Sequence, residues 1–240
     1  MEIKIFTTAA EAADFVAHEI TILVRKNPKA NIAVATGRTM DAVYFNLYQR
    51  IVEEKLSFSR VCAFAVDEYI GLEKDSENSY KSYLDLHLFD RLNFSKKNIF
   101  IPDVFASDLD KASSEFEDSI KNKGGIDLQL LGIGLNGHIG LNEPGSSVDS
   151  RTRVTALTSS TKNSNKVLFR NEHIPSTALT MGVGTILESK KCILIATGET
   201  KAEIILKLVN GDVNSKIPAS ALKNHTNMIL VLDKESASLI

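Results

Sequence analysis

The chain has 240 residues, 43% hydrophobic and 24% charged, enough to bury one sizeable core in a single globular domain. Its 28 basic and 30 acidic residues interleave to a net charge of -2, without the basic stripe that a nucleic-acid-binding surface needs. No apolar run is long enough to span a bilayer and no charged-then-apolar signal segment opens the chain, so neither nucleic acid nor membrane is an expected partner and the expected location is the cytoplasm.

Short apolar runs alternate with longer amphipathic stretches. In chain order the pattern predicts strand 2–6, helix 8–26, strand 31–35, helix 40–54, strand 61–66, helix 78–91, strand 98–101, helix 109–122, strand 126–132, strand 191–196, helix 199–209 and strand 227–232. This alternation argues an α/β fold: a single-domain, Rossmann-like open sheet, mostly parallel, with helices on both faces. Runs such as Asn31-Ile-Ala-Val-Ala35 and Cys192-Ile-Leu-Ile-Ala196 lack polar alternation, as strands covered on both faces do. Cys62 and Cys192 sit inside such runs and read as reduced, buried thiols rather than a disulfide. Residues 146–176, rich in Ser, Thr and Asn, read as a small lid segment or a surface helix.

Ligands of open parallel sheets bind outside the carboxyl ends of the strands, so the residues just past each strand matter most. Strand 126–132 leads into Gly132-Ile-Gly-Leu-Asn-Gly-His138-Ile-Gly-Leu-Asn-Glu143-Pro144. Gly132, Gly134 and Gly137 match the spacing of a dinucleotide fingerprint, but that fingerprint must open a helix, and further glycines and Pro144 follow instead. A nicotinamide cofactor is therefore rejected, and no cofactor is expected. His138 and Glu143 on this glycine-rich backbone form a candidate acid–base pair. No second histidine stands at ligand spacing and the cysteines are far away, so no metal is implied.

Two other strand ends suit an anion. Thr36-Gly37-Arg38-Thr39 opens a helix, offering backbone N–H groups, hydroxyls and the positive end of the helix dipole; alternatively Thr39 is a plain N-cap. Thr197-Gly-Glu-Thr-Lys201 adds a cation at the same edge, and together they read as a monophosphate grip without P-loop spacing. Asp67 and Glu68 end strand 61–66 and, being adjacent, point to opposite faces. One faces the cleft, or both merely cap the following turn.

With these motifs in order, the chain resembles the glucosamine-6-phosphate deaminase (NagB) family over nearly its whole length. The resemblance rests on Ala35-Thr-Gly-Arg-Thr39, Val66-Asp-Glu-Tyr-Ile-Gly-Leu72, Asn78-Ser-Tyr80, Leu131 to Gly145, Ser150-Arg-Thr-Arg153, Ala178-Leu-Thr-Met-Gly-Val-Gly184 and Gly198-Glu-Thr-Lys201. It implies cofactor-free conversion of an amino sugar phosphate, D-glucosamine 6-phosphate, to D-fructose 6-phosphate and ammonia by a monomer or small homo-oligomer. It further implies that His138, supported by Glu143 and Asn136, opens the sugar ring. Asp67, desolvated when substrate closes the lid, would move the C2 proton, and Thr36, Gly37, Arg38, Thr39 and Lys201 would hold the phosphate.

The sequence departs from the family pattern at three places. Asn136 stands where many relatives have Asp, which implies a histidine that holds its proton less tightly. Arg38 replaces a glycine in the phosphate loop. Val167 aligns with a lid arginine, with Lys166 and Arg170 nearby, so Arg38 is expected to supply the missing charge. Ser146, Ser147 and Arg153 match part of the family's regulatory site, but Thr155 replaces a lysine there. Alternative readings are a galactosamine-6-phosphate deaminase, a 6-phosphogluconolactonase sharing the fold, and a noncatalytic sugar-phosphate sensor.

Overall fold

A capping box starts the first helix. After strand β1 (Glu2–Phe6), the Thr8 hydroxyl accepts the Glu11 N–H while the Glu11 carboxylate accepts the Thr8 N–H, closing N–H groups that a helix start leaves open. Helix α1 (Ala9–Lys26) then buries Ala13, Val16, Ala17, Ile20 and Val24 as one stripe. The computed structural model describes residues 1–166, 169 and 173–240. Next come β2 (Asn31–Val34), α2 (Arg38–Glu54), β3 (Cys62–Ala65), β4 (Asp67–Ile70), α3 (Tyr80–Leu84), β5 (Ile99–Phe100), α4 (Leu109–Asn122) and β6 (Leu128–Leu131). The chain continues through β7 (Arg153–Ala156), α5 (Ser159–Asn165), β8 (Thr177–Thr180), α6 (Val183–Leu187), β9 (Cys192–Ala196), α7 (Ala202–Asn210) and β10 (Met228–Asp233).

Seven strands form one sheet in the order β1-β10-β9-β6-β2-β3-β5, and every neighbouring pair is parallel. The steps from β2 to β3 and β5 run toward one edge, and those from β6 to β9 and β10 run toward the other. Right-handed crossovers therefore send α1 and α2 to one face and α4 and α7 to the opposite one. The direction reverses between β2 and β6, where an open α/β sheet forms its ligand crevice. Strands β2, β3, β6, β9 and β10 are buried throughout, as their unbroken apolar runs predict.

The second sheet departs from the sequence reading. Strands β4, β8 and β7 form a separate antiparallel sheet, whereas the sequence reads 61–66 as one strand ending the element and 146–176 as irregular. The handover is at Val66. Its N–H bonds Val34 O in the main sheet, and its carbonyl accepts the Met181 N–H beside β8. Asp67 thus opens a new strand instead of trailing an old one. Tyr69, Leu141, Leu157, Phe169 and Ala178 form a small core under this sheet. Four boundaries also shift: α2 begins at Arg38, α3 gives way to a π-helical turn over Asp85–Phe89, β5 is two residues long, and α7 is preceded by a 3-10 turn over Glu199–Lys201.

Candidate active site

The carboxyl ends of four adjacent strands, β9, β6, β2 and β3, lead into the residues singled out above. Beyond β2, Gly37 is the N-cap of α2 with φ 114°, and no side chain caps the helix. The N–H groups of Arg38 and Thr39 are left open at the positive end of the dipole. Thr39 therefore lies within the first turn and is not the N-cap. The Tyr83 hydroxyl, 3.0 Å from Gly37 O, ties this turn to α3.

Beyond β9, the Lys201 ammonium donates to Ile133 O at 2.6 Å. Burial lowers its pKa, and the nearby Arg38 charge lowers it further. Arg38 has no carboxylate partner among the described residues. Two cations, neither ion-paired among the described residues, and a helix N-terminus thus converge, while Asp41 in the same first turn accepts from the Tyr83 hydroxyl; the arrangement favours an anion.

Beyond β6, the glycine-rich loop carries the histidine, and Gly134 leaves room for its ring: a Cβ there would lie 2.1 Å from His138 Cε1. A chain of hydrogen bonds sets the ring's tautomer. The Glu143 carboxylate, an acceptor only, takes the Asn136 amide N–H at 2.8 Å. The Asn136 carbonyl oxygen therefore faces His138 Nδ1 at 2.7 Å and requires a proton there. In the neutral ring Nε2 is then the free base. Burial lowers the His138 pKa more than the Glu143 charge raises it, and Lys201 lowers it too. Burial and Lys201, and not Asn136, are what lower it. For Glu143, burial acts upward but is outweighed by hydrogen bonds from the Thr161 hydroxyl, the Thr158 N–H and Asn136, so the carboxylate is held below its usual pKa.

Beyond β3, the adjacent carboxylates part company. Glu68 accepts the N–H groups of Tyr69, Tyr80 and Lys81 at 2.8, 2.9 and 2.7 Å and so caps α3. Asp67 is 5% exposed and accepts no hydrogen bond from a described residue. Burial first, and then the Glu68 charge, raise its pKa to about 8. The sequence reading expects desolvation on closure over substrate; the carboxylate is already buried here, because β4 starts inside the second sheet. Gly140 brings it to the histidine loop. With φ 53°, a Cβ at Gly140 would stand 3.4 Å from Asp67 Oδ2 and 2.7 Å from Val66 Cγ1.

Thr36, Gly37, Arg38, Thr39 and Lys201 thus lie on the same sheet edge as Asp67, Asn136, His138 and Glu143. Sequence reasoning missed Thr158 and Thr161, which reach Glu143 from the start of α5; the N-cap pattern Thr158-Ser-Ser-Thr161 was the available signal. Arg153 donates to Asn142 Oδ1 at 2.9 Å and Ser146 Oγ at 3.0 Å, bracing the loop beyond Glu143. Lys166 caps the end of α5, while Val167 and Arg170 lie outside the described residues.

A parallel sheet with an anion-binding turn, an oriented histidine–carboxylate pair and a buried free carboxylate at its switch point defines an enzyme site of the α/β class. The chain belongs to the family described as glucosamine-6-phosphate isomerases/6-phosphogluconolactonase, whose profile matches residues 6–231. It is 39% identical over 241 residues to the glucosamine-6-phosphate deaminase of Thermoanaerobacter pseudethanolicus, covering 100% of this chain and 95% of that one. A solved monomeric glucosamine-6-phosphate deaminase is 37% identical, with TM-score 0.97 and both chains covered in full. The 6-phosphogluconolactonase of Trypanosoma brucei, at TM-score 0.75 and 19% identity over 99% of this chain and 97% of that one, shares the fold alone.

Proposed function

We propose that this protein is a glucosamine-6-phosphate deaminase, converting D-glucosamine 6-phosphate and water to D-fructose 6-phosphate and ammonia. The observation that carries the reading is the pairing of two bases of different character on one edge. His138 has Nε2 free through the Glu143–Asn136 relay, and Asp67 is buried with a pKa of about 8. Ring opening needs a proton moved at O5, a task for an imidazole. Isomerisation needs a proton taken from carbon C2 and one delivered to C1. A carboxylate raised to about 8 is a far stronger carbon base than one near the ordinary 3.9. The resulting enolamine becomes, on protonation at C1, a C2 imine that water hydrolyses to the ketose and ammonia. The 6-phosphate sits on the first turn of α2 with Arg38 and Lys201, and Arg38 supplies charge from the loop side. Helix α5 would cover the site. Lactone hydrolysis would leave a buried carbon base without a task. A cytoplasmic sugar-phosphate pool suits a chain with two free, buried cysteines and no helix, among the described residues, long and apolar enough to cross a membrane.

The test is ammonia release from glucosamine 6-phosphate, galactosamine 6-phosphate and unphosphorylated glucosamine, with 6-phosphogluconolactone hydrolysis alongside. Turnover of the first above the second, and none of the third, is expected. Lactone hydrolysis without ammonia release would overturn the proposal.

A further inference from the structure

Helix α5 reads Ser159-Ser-Thr-Lys-Asn-Ser-Asn165, and only Thr161 in it is buried, at 2% exposure. A helix that is polar all round has no apolar stripe to hold it down, so its polar contacts determine its seat. Those contacts converge on the acid–base pair. Thr158 caps the helix by accepting the Thr161 N–H at 3.3 Å, and its own N–H donates to Glu143 Oε1 at 3.1 Å. At the other end, Asn165 Nδ2 donates to the Tyr69 hydroxyl at 2.7 Å.

Thr161 has a single hydroxyl proton, and the Glu143 carboxylate it meets can only accept. His138 Nδ1 and the Thr158 hydroxyl, each 3.3 Å from the Thr161 oxygen, are donors already, which leaves the Glu143 carboxylate to take the Thr161 proton. Because Asn136 already requires a proton on Nδ1, each donor in this circuit meets an acceptor. We infer that Thr161 is a positioning residue for the reaction, its hydroxyl joining Glu143 and His138 to α5 so that the seating of that helix and the charge of the pair depend on each other.

The charged groups acting on His138 are Glu143 from its own loop and Lys201 from the turn before α7; the one acting on Glu143 is His138. From α5 the pair receives hydroxyl and N–H groups. Removing the Thr161 hydroxyl withdraws a donor from an ionised carboxylate, and a donor to a charged group is stronger than one to a neutral acceptor. The carboxyl should then hold its proton to higher pH.

The inference rests on the deaminase reading for its catalytic meaning, but its test is made on the free protein. Glu143 is titrated by carboxyl 13C resonance in wild type, Thr161→Val and Thr161→Ser, and the pH profile of kcat/KM for glucosamine 6-phosphate is recorded for each. In the valine variant, of nearly the same shape, the Glu143 titration and the lower break of the acid limb, the one beneath the climb set by Asp67, move up together by about one pH unit, roughly 1.4 kcal/mol. KM well above that limb stays within about twofold, since the phosphate grip lies on other strand ends. Serine restores the wild-type titration. An unmoved Glu143 in Thr161→Val would overturn the inference, as would a serine variant shifted as far as the valine one. If valine prevents folding, the serine and Thr161→Ala proteins decide by the same criterion. A shifted titration in a protein that releases no ammonia would refute the substrate and keep the positioning role.

Discussion

Asp67→Asn separates the buried carbon base from a merely structural carboxylate. Burial, then the charge of Glu68, raise the Asp67 pKa from 3.8 to about 8. The folded protein therefore keeps this proton to about pH 8, whereas the unfolded chain releases it near 3.8. Between these values the unfolded state binds fewer protons, so rising pH favours unfolding. One proton corresponds to about 1.36 kcal/mol per pH unit, and from about pH 5 to 7.5 the wild type loses up to about 3 kcal/mol. Asparagine, with no proton to lose, escapes that slope. Urea unfolding of both proteins across this range, with the difference taken at each pH, cancels groups whose surroundings are unchanged. The asparagine variant should gain relative to wild type with rising pH and level off above about 8. A flat difference would refute the argument from burial. Wild-type kcat/KM should climb over the same interval as the carboxylate ionises, and loss of this base should lower turnover by about 10²- to 10⁴-fold.

Gly134→Ala would put a methyl carbon 2.1 Å from the His138 ring, so the ring must leave its bond to Asn136; far-UV circular dichroism should stay native while activity falls at least about tenfold. Arg38→Ala and Lys201→Ala should each raise KM by roughly 10- to 100-fold, in proportion to the loss of a charge-assisted phosphate contact, and weaken inhibition by inorganic phosphate in parallel. An unchanged KM in Arg38→Ala would remove Arg38 from the phosphate grip. Gln129 is fully buried in β6 with Oε1 unpartnered among the described residues and Nε2 donating to Leu130 O at 3.3 Å; Gln129→Met should stabilise the protein by up to about 1 kcal/mol in urea unfolding, since removing the orphaned acceptor outweighs the loss of that long bond.

The main sheet was legible in the sequence because its strands are short unbroken apolar runs, a signal that survives without knowledge of their neighbours. The second sheet was not. Cys62-Ala-Phe-Ala-Val-Asp-Glu-Tyr-Ile70 contains no glycine or proline, yet the chain changes sheets within it at Val66. Periodicity cannot register an exchange of partners that leaves the backbone extended. Strand β7 alternates between half-buried and exposed residues, but its one large apolar side chain, Val154, is on the exposed face, so no buried apolar run marks it. Among the proposed site residues, His138 stood out because its surroundings of glycine have little packing purpose. Thr161 did not, because its relevance depends on Glu143, which only the tertiary fold brings to it.

The same fold change explains why two neighbouring carboxylates differ. Extended backbone turns Asp67 and Glu68 to opposite sides, and the helix that follows β4 begins on the Glu68 side, where the Tyr80 and Lys81 N–H groups need an acceptor. Burial raises the Glu68 pKa and those hydrogen bonds offset only part of the rise; the charge Glu68 carries when ionised then acts on Asp67, whose own burial already opposes ionisation. Capping α3 and strengthening the carbon base are thus consequences of one local arrangement. Tyr83, farther along the same helix, places its hydroxyl between Asp41 Oδ1 and the Gly37 carbonyl, both at the start of α2. Helix α3 therefore fixes the spacing between Asp67, the proposed C2 base, and the turn proposed to hold the far end of the substrate.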